Sequence, residues 1–345
     1  MKKIVLLGAI VIAFYSCNES PKVEEKTDVQ VEENTYDGLR QKALAFFGEL
    51  PKVAENEANP ITAEKVELGK KLYYDNRLSK DNTQSCNTCH NLDTYGVDNG
   101  AFSKGNDGEL GGRNSPTTLN AALHISQFWD GREPDVEAQA GGPVLNPVEM
   151  AMPSEEAVVE RLSGIEEYKE LFAKTFPEDS NPITYENMKK AIGAFERKLI
   201  TPSKFDDYLA GNEEALTNEE KEGLKTYIEV GCTTCHAGNA LGGNMYQKFG
   251  LFGNYWDLTK SEKVDNGRFD LTQNEADKYI FKVPSLRNVE HTFPYFHDGS
   301  VKDLSQAVKI MGQSQLNKDL SDEELAKILT FIKTLNGEVN PELKQ

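Results

Sequence analysis

At 345 residues the chain is long enough for two domains with separate cores. Its 38 Lys and Arg stand against 56 Asp and Glu, a net charge of −18. That balance excludes nucleic acid, whose phosphates need a basic face, and suits a basic protein partner steered in by the field.

The chain opens on Lys2 and Lys3, an apolar run from Ile4 to Phe14, and then Ser16-Cys17. The run is too short to span a bilayer and has the length of an export-signal core. A cysteine straight after it resembles a bacterial lipoprotein signal, in which Cys17 becomes the lipidated first residue and the only membrane attachment. The alternative is an ordinary signal peptide whose Cys17 is discarded. Residues 1–17 are excluded from the fold on either reading, and the periplasm is the expected compartment. Residues 18–36 are rich in Glu, Lys, Asn and Val without an apolar period and read as a flexible tether.

Thr62 starts a helix with Val66, Gly69, Leu72 and Tyr73, ahead of Cys86-Asn-Thr-Cys89-His90. Met188, Ile192, Phe195 and Leu199 recur at helical spacing up to Pro202. Thr217-Asn-Glu-Glu220 is a capping box, followed by Leu224, Tyr227 and Ile228 on one face. Gly231 ends that helix just before Cys232-Thr-Thr-Cys235-His236. Ser321-Asp-Glu-Glu324 is a second box, followed by Leu325, Ile328, Leu329, Ile332 and Leu335. Strand signals are sparse. Each half thus repeats a helix, a cysteine turn, a long Gly-rich loop and amphipathic helices. The expected fold is all-α, with one domain at 37–202 and a second at 203–345. Long loops need a task in a compact domain, and wrapping a flat macrocycle is such a task.

Apart from Cys17, the cysteines are Cys86, Cys89, Cys232 and Cys235, which leaves none for a structural disulfide. Cys-x-x-Cys-His is the attachment signature of c-type haem: two thiols add across the vinyl groups and the histidine becomes the proximal ligand. A redox dithiol has no need of the following histidine, and a zinc site would want its ligands close together in the fold. Two covalent haems are therefore expected, on Cys86, Cys89 and His90 and on Cys232, Cys235 and His236. What fills each sixth position separates an electron carrier from a substrate site. Met311 is the candidate in the second half, with a core methionine as the competing reading. Met150, Met152 and Met188 lie where core and loop are equally open. One electron-transfer haem beside one open haem suits a two-electron acceptor such as peroxide.

Several runs, in order, resemble the bacterial dihaem cytochrome c peroxidases from about Leu68 to Phe331. They include Leu68-Gly-Lys-Lys-Leu-Tyr-Tyr-Asp75, Ser85-Cys-Asn-Thr-Cys-His-Asn-Leu92, Gly96-Val-Asp-Asn99 and Arg113-Asn-Ser-Pro-Thr117. Further on come Gln127-Phe-Trp-Asp-Gly-Arg132, Pro284-Ser-Leu-Arg-Asn288 and Pro294-Tyr-Phe-His-Asp-Gly299. The resemblance implies two cytochrome c-like domains, hydrogen peroxide reduced at the N-terminal haem, and electrons entering the C-terminal haem from a small cytochrome c or copper protein. It also implies a homodimer. Residue by residue it puts the acid–base group on Glu149 and its hydrogen-bonding partner on Gln139. One carboxylate there can take a proton from one peroxide oxygen and give it to the other. Trp129 matches the tryptophan between the haems, and Asn114, Thr292 and Pro294 match a calcium site of neutral oxygen ligands. His297 reads as a hydrogen-bonded structural histidine rather than a ligand, and His124 and His291 as structural or exposed.

One departure stands out. Many members carry a histidine that caps the peroxidatic iron until the other haem is reduced, and this chain has Asn106 there. Two other functions compete. A protein-modifying dihaem oxidase is expected to place tyrosine rather than Met311 on the second haem. A pure electron-transfer dihaem cytochrome would leave Glu149 and Gln139 without a task.

Overall fold

The computed structural model describes Tyr36 and residues 38–345; the export signal, Cys17 and nearly all of the tether lie outside the described residues. In chain order the helices of the first half are α1 (Leu39–Phe47), α2 (Ala63–Tyr73), α3 (Cys86–Cys89), α4 (Val136–Leu145), α5 (Glu155–Ser163), α6 (Glu166–Thr175) and α7 (Tyr185–Glu196). The second half holds α8 (Lys204–Leu209), α9 (Asn218–Val230), α10 (Tyr255–Thr259), α11 (Phe269–Thr272), α12 (Leu304–Leu316) and α13 (Asp322–Ile332). A two-stranded antiparallel ribbon, β1 (Tyr246–Lys248) with β2 (Ile280–Lys282), is the small departure from an all-α chain. Among the described residues no helix is long and apolar enough to cross a membrane.

The expected helix starts are capped as their chemistry dictates. Thr62 accepts from the Lys65 amide, and Thr217 and Ser321 each close a reciprocal box with Glu220 and Glu324. The expected run to Leu199 stops earlier, at Glu196. There the Lys198 and Leu199 amides tighten onto the Phe195 and Glu196 carbonyls, and the Thr201 amide goes to the Asn120 side chain at 3.0 Å. Pro202 keeps the residue before it out of the helical region. Leu199 is nonetheless fully buried, as its spacing implied.

The two halves repeat one helix crossing. α2 packs on α7 and α9 packs on α13. At each crossing a glycine allows close approach: a Cβ on Gly69 would fall 1.9 Å from the Ala191 carbonyl oxygen, and one on Gly223 would fall 2.3 Å from that of Lys327. Four residues after each glycine comes a buried tyrosine against a phenylalanine, Tyr73 with Phe195 at 5.2 Å and Tyr227 with Phe331 at 5.0 Å. The chain ends cross over. Leu39, Ala43 and Phe47 of α1 join the core of Phe205, Leu224, Tyr227 and Phe331, whereas Val339 and Leu343 join that of Tyr73, Leu119 and Phe195. The junction near Pro202 therefore marks the repeat in sequence, while residues 36–345 pack as one unit.

Candidate haem and peroxide site

Both cysteine turns have the same backbone closure. The His90 amide donates to the Cys86 carbonyl at 2.9 Å, and the His236 amide to the Cys232 carbonyl at 3.0 Å. Each preceding helix then braces its histidine: the hydroxyl of Tyr73 donates to the His90 carbonyl at 2.6 Å and that of Tyr227 to the His236 carbonyl at 3.4 Å. Among the described residues the four cysteines form no disulfide, which leaves every thiol for thioether attachment.

The His236 Nδ1 lies 3.2 Å from the Leu241 carbonyl. Donation there fixes the tautomer and leaves Nε2 as the available ligand atom. Burial holds His236 down at about 4 and also lowers His90, so both rings are neutral, the form that binds iron. The His90 Nδ1 makes no hydrogen bond of normal geometry, although the backbones of Gly96 and Pro116 oppose its fall.

The residues present fit a flat apolar cofactor in the second half. One cavity is lined by Cys232, Cys235 and His236 on one side and by Met311, Leu304, Val308 and Leu316 of α12, with Tyr227, Phe249 and Phe281 around it. His236 and Met311 thus share a cavity. Met150, Met152 and Met188 are buried in the first half's apolar core instead.

In the first half, the Asn146-Pro-Val-Glu149 turn follows α4. Its Asn146 side chain accepts from the Val148 amide at 3.0 Å and donates to Glu149 Oε1 at 2.7 Å. Asn146 therefore holds the carboxylate, where Gln139 had been expected to do so; Gln139 sits half-buried on α4 with no side-chain hydrogen bond among the described residues. Burial raises the Glu149 carboxyl above its ordinary range, with Arg132 and Asn146 pulling the other way. Glu149 acts electrostatically on Cys89, and the hydroxyl of Ser103, at the start of the loop to Arg113, pairs with that of Ser115 at 2.6 Å. That loop is locked onto the turn, since the Asn106 amide donates to the Glu149 carbonyl at 2.7 Å. Gly105 is required there: a Cβ would fall 1.8 Å from the Val148 carbonyl oxygen. The roles of Asn146 and Arg132 were missed, although Asn146 is only three residues from Glu149.

Trp129 lines the second-half cavity and also a smaller one lined by Asn114, His124, Thr292 and Pro294. Its indole nitrogen donates to the Asn114 carbonyl at 2.8 Å. His297 is buried among Phe249, Tyr255, Phe281 and Trp129, but its Nε2 has no hydrogen-bond partner among the described residues, so the hydrogen-bonded histidine expected there is not what the packing gives. His291 stacks on Tyr95 at 4.0 Å. His124 is partly buried, with Nδ1 3.0 Å from the Lys282 ammonium.

Residues 63–214 match the di-haem cytochrome c peroxidase family. A cytochrome c551 peroxidase of Pseudomonas aeruginosa is 44% identical over 303 residues, 87% of each chain. The cytochrome c peroxidase Ccp of Escherichia coli is 42% identical over 82% of this chain and 60% of its own. A methylamine utilization protein MauG of Methylophilus methylotrophus is 31% identical, over 81% of this chain and 84% of its own. Among solved structures, a MauG-like protein associated with microbial copper homeostasis superposes with a TM-score of 0.75 at 30% identity, covering 84% of this chain and 94% of its own. With its paired haem-attachment turns and relatives of this similarity over most of its length, the chain belongs to the di-haem cytochrome c peroxidase family and is an oxidoreductase.

Proposed function

We propose that the protein reduces hydrogen peroxide to water at the Cys86-Cys89-His90 site, with electrons entering through the Cys232-Cys235-His236 site from a small cytochrome c or copper protein. Two covalent c-type haems supply the electrons and the metal position for peroxide. The observation that carries this reading is Glu149: a half-buried carboxyl with a raised proton affinity, held by Asn146 and near enough to Cys89 to act on it electrostatically. A carboxyl so placed takes a proton from one peroxide oxygen and returns it to the other, so that water can leave. Asn146 orients it, and Arg132 favours its ionised form, the form a base needs.

In the second half, Met311 is the sixth ligand, which favours a high-potential electron acceptor. Its place in the His236 cavity supports a peroxidase over a protein-modifying oxidase. Trp129, shared by both cavities, is the electron route between the two cytochrome c-like halves. Asn114, Thr292 and Pro294 line one cavity with no carboxylate among the lining residues, and would offer calcium neutral oxygens only. We place the protein in the periplasm as a homodimer, tethered through Cys17. Steady-state peroxide reduction with a reduced small cytochrome tests the reading in the parent and in Glu149→Gln; a parent without turnover would reject it.

A further inference from the structure

Lys282 ends β2, opposite Tyr246, and its amide donates to the Trp129 carbonyl at 2.8 Å. Its side chain turns inward and the residue is 6% exposed. The partner of the ammonium is His124 Nδ1 at 3.0 Å. The acid acting on it, Asp130, is already engaged by Arg113 at 2.7 Å and Arg132 at 3.2 Å. An ammonium so buried without a bonded anion is strongly unfavourable, and burial accordingly lowers Lys282 to about 7; an apolar side chain would have filled the place at no such cost.

The pair also has unspent donors. With Nδ1 accepting from the ammonium, His124 carries its proton on Nε2, which is buried without a partner. The ring is wedged against Gly243, where a Cβ would fall 2.1 Å from its Cδ2. Both side chains line the cavity beside Trp129, and Lys282 also lines the larger one with Cys235, His236 and Met311. With Nδ1 turned to Lys282, the His124 Nε2–H faces the opposite way, so the hydrogens left on the ammonium are the donors free to meet a carboxylate in the His236 cavity.

We propose that Lys282, positioned by His124, holds a propionate carboxylate of the haem attached at Cys232 and Cys235. This rests on the two-haem reading above. A lysine charge in that place stabilises an added electron nearby and raises the local reduction potential.

The test uses the holoprotein, its two haems counted by absorption. Loss of one haem from the parent would reject the two-haem reading itself. Given both haems, Lys282→Met should shift the propionate bending band in resonance Raman. It should also make reduction of the second haem at least tenfold less favourable, 59 mV for one electron. Lys282→Arg should restore both, and His124→Leu should shift the band. A band and potential unchanged in Lys282→Met overturn the proposal. A parent spectrum that moves on adding formate also overturns it, because the pair would then be taking a dissolved carboxylate. Should Lys282→Met fail to fold, an unchanged band in His124→Leu decides against it.

Discussion

Replacing Asn106 with histidine tests whether this chain lacks the cap that many of its relatives use. The Asn106 side chain is engaged on four sides. Nδ2 donates to Asp81 at 3.1 Å and Asp107 at 2.9 Å, and Oδ1 accepts from the Asp81 amide at 3.1 Å and the Thr83 hydroxyl at 3.3 Å. These bonds are exposed, so about 0.5 kcal/mol each is a suitable scale, or about 2 kcal/mol together. That corresponds to about thirty-fold in population, so a displaced loop is a minor state with no ligand to offset the loss. The oxidised parent should therefore show one high-spin and one low-spin ferric haem by EPR, and stopped-flow peroxide reactions should start without a lag. Asn106→His should convert much of the high-spin signal to low-spin and introduce a lag that one-electron reduction relieves. Two low-spin ferric signals in the oxidised parent, with turnover only after reduction, would refute the reasoning: some other side chain would then be the cap.

Met311→Ala should lower the potential of the second haem and block oxidation of the donor; an unchanged potential in a spectroelectrochemical titration would remove Met311 as ligand. Glu149→Gln should keep both haems but cut turnover by ~10²-fold or more, the usual scale for acid–base catalysis. Because burial raises Glu149, its base form is lost as pH falls through a value above the ordinary ~4.3. The acid limb of kcat/KM should therefore lie above that value in the parent and disappear in Glu149→Gln. Gly69→Ala should destabilise the holoprotein by about 1–3 kcal/mol in denaturant unfolding, since its Cβ meets backbone rather than a mobile side chain; an unchanged midpoint would mean that α2 and α7 can separate freely.

The helix framework was legible because its determinants are local. Thr217, Glu220, Ser321 and Glu324 cap within one turn, and the glycine and tyrosine of each crossing share a helix four residues apart. What the glycines were for was not legible, because Ala191 and Lys327 lie more than a hundred residues away in sequence. The same holds for α1. Leu39, Ala43 and Phe47 make an apolar stripe, but nothing in the stripe says that it joins the core of the other half. The cysteine turns were read from five residues each. Glu149 was reached only through resemblance, since its burial depends on how the 103–113 loop folds back over it. His124 acquires meaning only beside Lys282, 158 positions later.

Met311 shows how a site undecided in sequence is narrowed by packing. On α12 the buried positions are Ala307, Ile310, Gly312 and Ser314. A core methionine would share that face, as Met188 does on α7 at 0% exposure, and as Met150 and Met152 do in the same apolar cluster. Met311, one turn from Ala307, does share that stripe but is not sealed: it is half-buried and lines the cavity that His236 also lines. A thioether there gives up part of its packing, and an apolar leucine would fill a slot against a flat ring at least as well. What methionine adds is a sulfur lone pair, and the potential measured in Met311→Ala reads that addition directly.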